Sequence, residues 1–298
     1  MIDWRAKLDG RYVIASVSGG KDSAAMSLWL TEQGIEHERV FADTGWEHEE
    51  TYRYLWDVLV PKLGPITVVH GPLSFEELVQ KKGMFPSRIR RFCTQSLKIF
   101  PLRDYILSRI AAGHEVVNAI GVRAGESAAR ARMTSWEWQE DFNCDVWRPL
   151  LSWTEPDVIA MHHRHGLPPN PLYLMGAERV GCWPCIFSRK AEIRLIAEVD
   201  PARIDRIRAM EHRATDVATA RYAAKGETFE SLGYARPTFF YTHTAKSSQI
   251  PIDGVVDWSR TARGGKQREL FATGEAGCVR WGMYDTPADL PDATKGKP

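Results

Sequence analysis

The chain has 298 residues, and its 39 lysine and arginine residues nearly balance its 38 aspartate and glutamate residues. This length allows one large domain or two smaller ones, and the balanced charge gives no support for a general electrostatic attraction to nucleic acid or membranes. Because no apolar stretch approaches the roughly 18 residues needed to cross a bilayer and the first residues lack a signal-peptide core, we expect a cytoplasmic protein without a membrane partner.

The first predicted strand, residues 12–17, leads through a glycine-rich loop into a helical pattern over residues 24–30. The loop reads Ser-Gly-Gly-Lys-Asp-Ser at residues 18–23. Its glycines let backbone N–H groups approach an anion, the helix presents its positive amino-terminal end, and the lysine adds a cation. A Walker A loop has a longer run between its first glycine and the Gly-Lys pair. The pattern therefore predicts a phosphate-binding loop of another class, the alternative being a glycine turn that only ends the strand.

Strands and helices alternate after this loop. The next predicted strands cover residues 37–42, 66–69 and 116–120. The next predicted helices cover residues 47–60, 74–83 and 101–112, and they end at Pro61, Gly83 and Gly113. Ser74 and Glu77 form a capping-box pattern. Alternation of this kind predicts an α/β fold in which helices sandwich a parallel sheet and ligands bind beyond the carboxyl ends of the strands.

The second half of the chain has a different character. A helix is predicted over residues 154–164, and the prolines that follow predict an extended segment near residue 170. Residues 181–185 read Gly-Cys-Trp-Pro-Cys, and long helices are predicted over residues 189–197 and 201–224. We predict three regions: a nucleotide-binding α/β domain at 1–165, a mostly helical, cysteine-containing region at 166–286, and a disordered tail at 287–298.

Polar motifs follow three of the predicted strands at their carboxyl ends. The loop at residues 18–23 follows the first strand, Asp43-Thr44-Gly45 the second, and residues 121–127 the fourth. Because the carboxyl ends of parallel strands share one edge of a sheet, these motifs predict a single binding site. Residues 127–138 are arginine-bearing and are predicted to form a flexible substrate loop.

Together these motifs resemble those of the PAPS reductase family of PP-loop ATP pyrophosphatases. The resemblance rests on residues 18–23, Asp43-Thr44-Gly45-Trp46, Gly121-Val122-Arg123, residues 149–157, Pro168-Pro169-Asn170-Pro171-Leu172-Tyr173 and residues 181–185. It implies the adenine nucleotide α-hydrolase fold, a parallel sheet of five or six strands with ATP above the loop. It also implies that ATP is cleaved between its α and β phosphates, so that a substrate oxygen is adenylated and pyrophosphate departs.

The chain departs from the sulfonucleotide reductases of this family in two places. Those reductases carry a degenerate loop, whereas Gly19, Gly20, Lys21 and Asp22 are all present here. They also end in a Glu-Cys-Gly-Leu-His type tail, while residues 277–281 read Gly-Cys-Val-Arg-Trp. The intact loop looks more like sulfate adenylyltransferase small subunits, tRNA thiolation enzymes and the ATP pyrophosphatase component of DNA phosphorothioation.

The resemblance therefore favours an adenylating enzyme that acts in sulfur transfer to a nucleic acid or nucleotide. Two alternatives remain open. One is a PAPS or APS reductase-like enzyme in which Cys278 is the nucleophile, and the other is a nucleotide-sensing or redox-sensing module without turnover. The expected partners are a nucleotide substrate, a nucleic acid, a cysteine desulfurase or other sulfur donor protein, and a second copy in a homodimer.

The ATP site has a defined set of predicted residues. The predicted catalytic residues are Lys21, Asp22, Asp43 and Arg123. The predicted nucleotide-binding residues are Ser18, Gly19, Gly20, Lys21, Asp22, Ser23, Asp43, Thr44, Gly121 and Arg123. Lys21 is expected on the β and γ phosphates, and Asp22 is expected either to position Mg²⁺ or to cap the helix. Asp43 is expected to hold Mg²⁺ through water, to contact the nucleotide or simply to form a turn. Arg123 and Arg130 are expected either to bind an oxyanion, such as the α phosphate, or to form surface salt bridges.

The five cysteines, an odd number in a reducing compartment, favour metal or redox chemistry over a disulfide framework. Cys182 and Cys185 have a spacing that lets two thiolates reach one metal centre. Adding Cys93 and Cys278 predicts a [4Fe–4S] cluster, with Zn²⁺ on the same ligands or a redox-active dithiol as alternatives. Cys144 is a weaker candidate for the fourth ligand and is otherwise a buried structural thiol.

Two basic groups of residues interrupt the otherwise balanced charge. The first is Arg88, Arg90 and Arg91 with Lys98 nearby, and the second is Arg123, Arg130 and Arg132. Each is predicted either to form a local basic face or to lie as an ordinary solvated surface.

Overall fold

The computed structural model describes residues 3–241, 249–262 and 281. Its strands are β1 (Tyr12–Val17), β2 (His37–Asp43), β3 (Ile66–His70), β4 (Val116–Ile120), β5 (Trp136–Gln139) and β6 (Cys144–Trp147). They form one six-stranded sheet in the order β3-β2-β1-β4-β6-β5. All neighbouring pairs are parallel except β5 and β6, so one antiparallel strand closes the edge of a parallel sheet. The predicted α/β fold is confirmed, with this single antiparallel addition.

Helices cover the sheet and form the second half of the chain. The α-helices of the described residues are α1 (Trp4–Leu8), α2 (Lys21–Glu32), α3 (Glu49–Arg53), α4 (Val60–Leu63), α5 (Phe75–Lys82), α6 (Phe92–Thr94), α7 (Phe100–Ala111), α8 (Glu155–Arg164), α9 (Pro171–Leu174), α10 (Lys190–Val199), α11 (Pro201–Ala223) and α12 (Ile252–Arg260). Two π-helical turns, Tyr54–Leu59 and Gln95–Ile99, join α3 to α4 and α6 to α7. Among the described helices, none combines the length and apolar character that a membrane span requires.

Local signals predicted most of these elements well. Strands β1 to β4 match their predicted ranges to within one residue. The Ser74–Glu77 capping box is present at the start of α5, and Gly83 ends that helix in the left-handed conformation, with φ of 59°. These signals succeed because a cap satisfies backbone groups within its own helical turn and needs no distant partner.

The structure corrects three local predictions. The second helix does not stop at Pro61, because a π-helical turn precedes it and Pro61 lies in the first turn of α4, where its missing N–H group needs no partner. The segment predicted as a flexible substrate loop contains a 3₁₀ turn, Arg130–Arg132, and strand β5. Pro171 begins the short helix α9, which Asn170 caps, within the segment that was predicted to be extended.

Three apolar clusters hold the layers together. One lies between β1, β4, α2 and α8, and a smaller one packs α7 on the opposite face around Ile14 and Ile106. The third joins the carboxyl side of the sheet to the helical second half and includes Trp46, Trp183 and Phe239. This third cluster contains residues from both sides of the predicted domain boundary at residues 165/166. The boundary itself stays a prediction. The predicted tail at 287–298 lies outside the described residues.

We expect Phe239→Ala to destabilise the whole chain in one step. Phe239 is fully buried, and its ring centroid lies 6.0 Å from that of Trp46 and 5.5 Å from that of Phe85. Loss of a buried aromatic ring should lower the free energy of unfolding by about 3–5 kcal/mol, measured by urea denaturation. The control Trp138→Ala removes a ring that is 56% exposed and should cost about 0.5 kcal/mol or less. Two separate unfolding transitions, with only one shifted, would instead indicate independent domains.

Acid should weaken the fold through His37 at the start of β2. The Nδ1 atom lies 2.8 Å from the carbonyl of Ile35 and the Nε2 atom 2.8 Å from the hydroxyl of Ser27, and burial lowers the pKa of His37 to about 4. The folded state therefore binds fewer protons, so this stabilisation is present above pH 6.5 and is lost as the pH falls toward 4.

His37→Gln isolates this effect, because the amide can form hydrogen bonds but does not titrate. Between pH 7 and pH 4 the variant should lose about 2 kcal/mol less unfolding free energy than the wild type, measured by urea denaturation at each pH. Equal losses for both proteins would show that His37 does not contribute to acid sensitivity.

Candidate functional site

Residues 18–23 form a tight loop between β1 and α2. Gly19 has a φ of 70°, and a Cβ atom there would lie 2.7 Å from a methyl carbon of Thr51, so only glycine fits. The N–H group of Ser18 donates to the Ser23 hydroxyl (3.1 Å), which itself donates to the carbonyl of Gly20 (3.0 Å). Gly20 is the N-cap of α2 and brings no side chain to the helix terminus. The loop is thus shaped by its own serines, and the amino-terminal end of α2 is left for an anion.

Lys21 is buried at the first position of α2, with 7% of its surface exposed. Its ammonium lies 3.2 Å from a carboxylate oxygen of Glu155, 3.9 Å from one of Asp22 and 4.8 Å from the centre of the Tyr173 ring. A buried cation of this kind requires paired charge around it. Lys21 is therefore held in place by opposite charges and an aromatic face before any ligand binds.

Asp22 forms an ion pair with the guanidinium of Arg123, which is also buried. Asp22 occupies the first turn of α2 but not its N-cap position, which belongs to Gly20. The backbone N–H group of Arg123 donates to Glu126 (2.8 Å), and Glu126 pairs with Arg130. The structure thus brings Asp22 and Arg123 together, while Arg130 is linked to them only through Glu126.

Gly121 allows the end of β4 to approach the start of α2 closely. A Cβ atom at Gly121 would lie 2.9 Å from the carbonyl oxygen of Asp22 and 2.9 Å from the Cα of Ser23. Both of these neighbours are backbone atoms, which cannot rotate away. Gly121 therefore sets the distance between the sheet and the phosphate loop.

Asp43 is the last residue of β2, and Thr44 follows it on the same edge of the sheet. One carboxylate oxygen of Asp43 accepts hydrogen bonds from the Gly45 N–H group (2.8 Å) and from the Tyr52 hydroxyl (2.7 Å). Burial and these carboxylate neighbours raise the pKa of Tyr52, so the phenol stays a donor. The Thr44 hydroxyl donates to the buried Glu47 carboxylate at 2.8 Å. Asp43 is thus oriented by neighbours, and the side chain of Thr44 is engaged within the protein.

Four further residues contact the loop or its supports and were not predicted as site residues. They are Asn170, which donates to the Gly19 carbonyl (3.2 Å); Tyr173, whose oxygen accepts from the Lys21 N–H group (3.2 Å); His162, whose Nε2 lies 2.9 Å from the Lys21 carbonyl; and Trp281, which packs on Tyr173 and His162. Burial lowers the pKa of His162, which favours a neutral imidazole. Only the Pro-Pro-Asn-Pro-Leu-Tyr segment was noticeable in the sequence, and nothing local indicated what it contacts.

Three of the predicted metal ligands lie near one another behind Thr44. The Cys182 sulfur is 3.9 Å from the Thr44 hydroxyl, and electrostatic interaction with Cys182 and Glu47 raises the pKa of the nearby Lys98 amine. Burial raises the pKa of Cys182 and also that of Cys93, and Cys185 interacts electrostatically with both thiols. Burial thus favours the neutral form of the Cys182 thiol, while the neighbouring Lys98 opposes this effect.

These thiols do not form a metal site by themselves. Within the described part of the chain, no three histidine, cysteine, aspartate or glutamate side chains are arranged to hold a metal ion. Cys278 lies outside the described residues. Cys144 is buried on β6 in the cluster with Ile14 and Ile106, and burial raises its pKa to about 11. The described thiols thus do not fit the predicted [4Fe–4S] or Zn²⁺ centre without a further ligand.

The comparison with known families covers this whole arrangement. Residues 12–188 match the family model described as phosphoadenosine phosphosulfate reductase domain. The chain belongs to this family. The PAPS reductase domain includes the phosphate loop, Arg123, Tyr173 and all described thiols, and it ends before α10, so helices α10 to α12 lie beyond it.

Individual relatives are similar to this PAPS reductase domain protein to different extents. An uncharacterized 37.8 kDa protein of Escherichia phage 186 is 35% identical across 91% of this chain and 95% of its own length. The adenosine 5′-phosphosulfate reductase of Salinibacter ruber is 32% identical across 49% of this chain, which spans 56% of that reductase. A solved PAPS reductase from Candida auris is similar with a TM-score of 0.46 and 19% identity, over 60% of this chain and 85% of that one.

In this PAPS reductase domain, Gly121→Ala should push α2 away from the sheet. The added methyl group meets backbone atoms of Asp22 and Ser23 at 2.9 Å, so we expect a loss of about 1–3 kcal/mol of unfolding free energy. We also expect about tenfold weaker ATP binding, a loss of about 1.4 kcal/mol, measured by isothermal titration calorimetry. Gly125→Ala is the matched control, since a Cβ atom there has nothing within 4 Å. Equal ATP affinities for the two variants would contradict this role of Gly121.

Proposed function

We propose that this protein is an ATP pyrophosphatase that adenylates an acceptor and releases pyrophosphate. The observation that carries the proposal is Lys21, buried in the first turn of α2, where Gly20 supplies no capping side chain, and paired with Glu155 and Asp22. Such a cation at the positive amino-terminal end of a helix suits the β and γ phosphates of ATP. Membership of the PAPS reductase domain family supports nucleotide binding at this edge of the sheet.

The reaction proposed at this site is a substitution at the α phosphate. An acceptor oxygen forms a bond to the α phosphorus, the bond from that phosphorus to the bridging oxygen breaks, and pyrophosphate leaves with the negative charge. Lys21 and the end of α2 stabilise the leaving group, because fixed positive groups that face developing charge lower the barrier. Arg123 offers a planar guanidinium to the α phosphate oxygens, and its pairing with Asp22 holds it beside the loop.

Asp43 is the residue proposed to hold Mg²⁺ that arrives with the triphosphate. One of its oxygens is fixed by Gly45 and Tyr52, which orients the carboxylate, and carboxylate oxygens are ligands that Mg²⁺ prefers. When bound, Mg²⁺ would neutralise charge on the phosphates. Asp22 is less suited to this role because Arg123 already neutralises it.

We further propose that the adenylated product is an intermediate of sulfur transfer to a nucleotide or nucleic acid. The support is the position of Cys182, 3.9 Å from Thr44 at the edge that also carries Asp43. In this step the terminal sulfur of a persulfide on a donor protein, such as a cysteine desulfurase, bonds to the activated atom, and the activated oxygen leaves with AMP. The Cys182 thiol then attacks the remaining sulfur–sulfur bond, which releases the thiolated product and leaves a disulfide between Cys182 and the donor, and a dithiol reductant reduces this disulfide. The four-cysteine cluster stays a prediction, and this chemistry does not require it.

A sulfonucleotide reductase is the second candidate, favoured by the relative from Salinibacter ruber, which is named as an adenosine 5′-phosphosulfate reductase. Such an enzyme binds an already activated nucleotide and has no use for a cation placed on the β and γ phosphates. Binding of adenosine 5′-phosphosulfate in strong preference to ATP would favour this candidate over the first.

Lys21→Met tests the adenylation proposal directly. The variant keeps the apolar stem but loses the charge, and loss of one stabilising group at developing charge costs about 100-fold to 1,000-fold in rate. We expect a loss of this size in the exchange of labelled pyrophosphate into ATP, measured with RNA or DNA present as the acceptor, and circular dichroism should show that the variant folds. The exposed Lys62 serves as the matched control, and Lys62→Ala should exchange at the wild-type rate. Wild-type exchange in Lys21→Met would refute the proposal.

A further inference from the structure

A large groove lies beside the candidate ATP site. Its volume is about 1290 Å³, and it is bounded by the end of β3, by α5, α6 and the following π-helical turn, and by the start of α7. Its cationic lining residues are Lys81, Lys82, Arg90, Arg91, Arg103 and Arg221, against the two carboxylates of Asp104 and Asp141. We call this cavity the basic groove.

Within the described part of the chain, most of the cations of the basic groove have no carboxylate partner. Arg103 pairs with Asp104 at 2.7 Å, but none of the other five cations forms an ion pair with another described residue. Arg221 donates to the carbonyl oxygens of Lys82 (2.7 Å) and Lys81 (3.1 Å), which fixes its guanidinium at the end of α5 without removing its charge. Because the whole chain has a formal net charge of only +1, this is a local concentration of charge that suits a polyanion.

The size and the aromatic walls of the basic groove indicate an extended ligand. Small-molecule pockets measure about 300–1,000 Å³, so this cavity exceeds what a single nucleotide fills. The rings of Phe92 and Phe100 line it, with Lys82 5.0 Å above Phe92 and Arg103 4.7 Å above Phe100. Cations along a groove together with accessible aromatic rings are typical of proteins that bind single-stranded nucleic acids.

The basic groove also begins at the sheet edge that carries Asp43. It begins at His70 and Gly71, and His70 pairs in register with Asp43 on the neighbouring strand. At its other wall, Phe92 and Thr94 flank Cys93, whose thiol interacts with Cys185. A chain lying in the groove would therefore pass the sheet edge that carries the phosphate loop and the thiols.

We propose that the basic groove binds the sugar–phosphate backbone of a single-stranded nucleic acid. The bound strand presents one of its nucleotides at the sheet edge as the acceptor, a role that rests on the proposed adenylation. Binding of the strand itself does not depend on that reaction. The groove thereby favours a polynucleotide over a free nucleotide as the acceptor.

The test uses fluorescein-labelled single strands of DNA and of RNA, each about 12 nucleotides long to match one groove-sized site. Their binding is measured by fluorescence anisotropy in the absence of ATP and at a series of salt concentrations. The double variant Lys81→Ala/Arg90→Ala removes two exposed cations of the groove, while Lys62→Ala/Arg236→Ala removes two exposed cations elsewhere. We expect the groove variant to bind about tenfold more weakly, and its salt slope to fall by about 0.7 for each phosphate that the protein no longer neutralises. The control variant should bind like the wild type.

Equal affinities for the groove variant and the control variant would overturn the proposal. Tighter binding of a duplex than of the single strand would also overturn it, because the ligand would then be a duplex. Displacement of the labelled strand by polyglutamate as effectively as by an unlabelled strand would overturn it too, because the ligand would then be an acidic protein.

Lys21→Met separates this proposal from the adenylation proposal. It should bind the strand normally while it loses pyrophosphate exchange, and Lys81→Ala/Arg90→Ala should still bind ATP normally.

Discussion

The buried charges at the amino end of α2 are the constraint on which the rest of the site depends. Lys21 and Arg123 are both almost inaccessible, and a buried charge is tolerated only when it is paired. Asp22 and Glu155 supply that pairing from α2 itself and from the start of α8. The end of β4, the start of α2 and the start of α8 must therefore meet at one point, and Gly121 is what permits the closest of these approaches.

The backbone of the phosphate loop is supported from the opposite side by polar side chains. Asn170, Tyr173 and His162 each form a hydrogen bond with a main-chain group of Gly19 or Lys21. A loop that binds phosphate through its own N–H groups needs its carbonyl groups directed elsewhere, and Asn170 and His162 direct two of them. Trp281 packs on His162 and Tyr173, so a residue far along the chain supports the same loop.

Prediction from the sequence succeeded where the deciding interactions are local. Strands β1 to β4, the loop and the capping box of α5 follow from short patterns, because hydrogen bonds and periodicity act within a few residues. Strand β5 and helix α12 lacked such signals and depend on distant packing, as in the pairing of Trp136 with Trp147. Similarly, no local feature of Tyr173 indicates its contact with Lys21, which lies 152 positions earlier.

The formal net charge of the chain says little about what its surface binds, since charge acts over about 10 Å at ordinary salt. Acidic residues balance the total, yet many are used in ion pairs elsewhere, such as Glu76 with Arg206 and Arg213. Among the described residues that line the basic groove, Asp104 and Asp141 are the only carboxylates beside its six cations. A cation that no carboxylate neutralises keeps its attraction for a phosphate, so the charge pattern of this groove, and not the total, determines which ligand it suits.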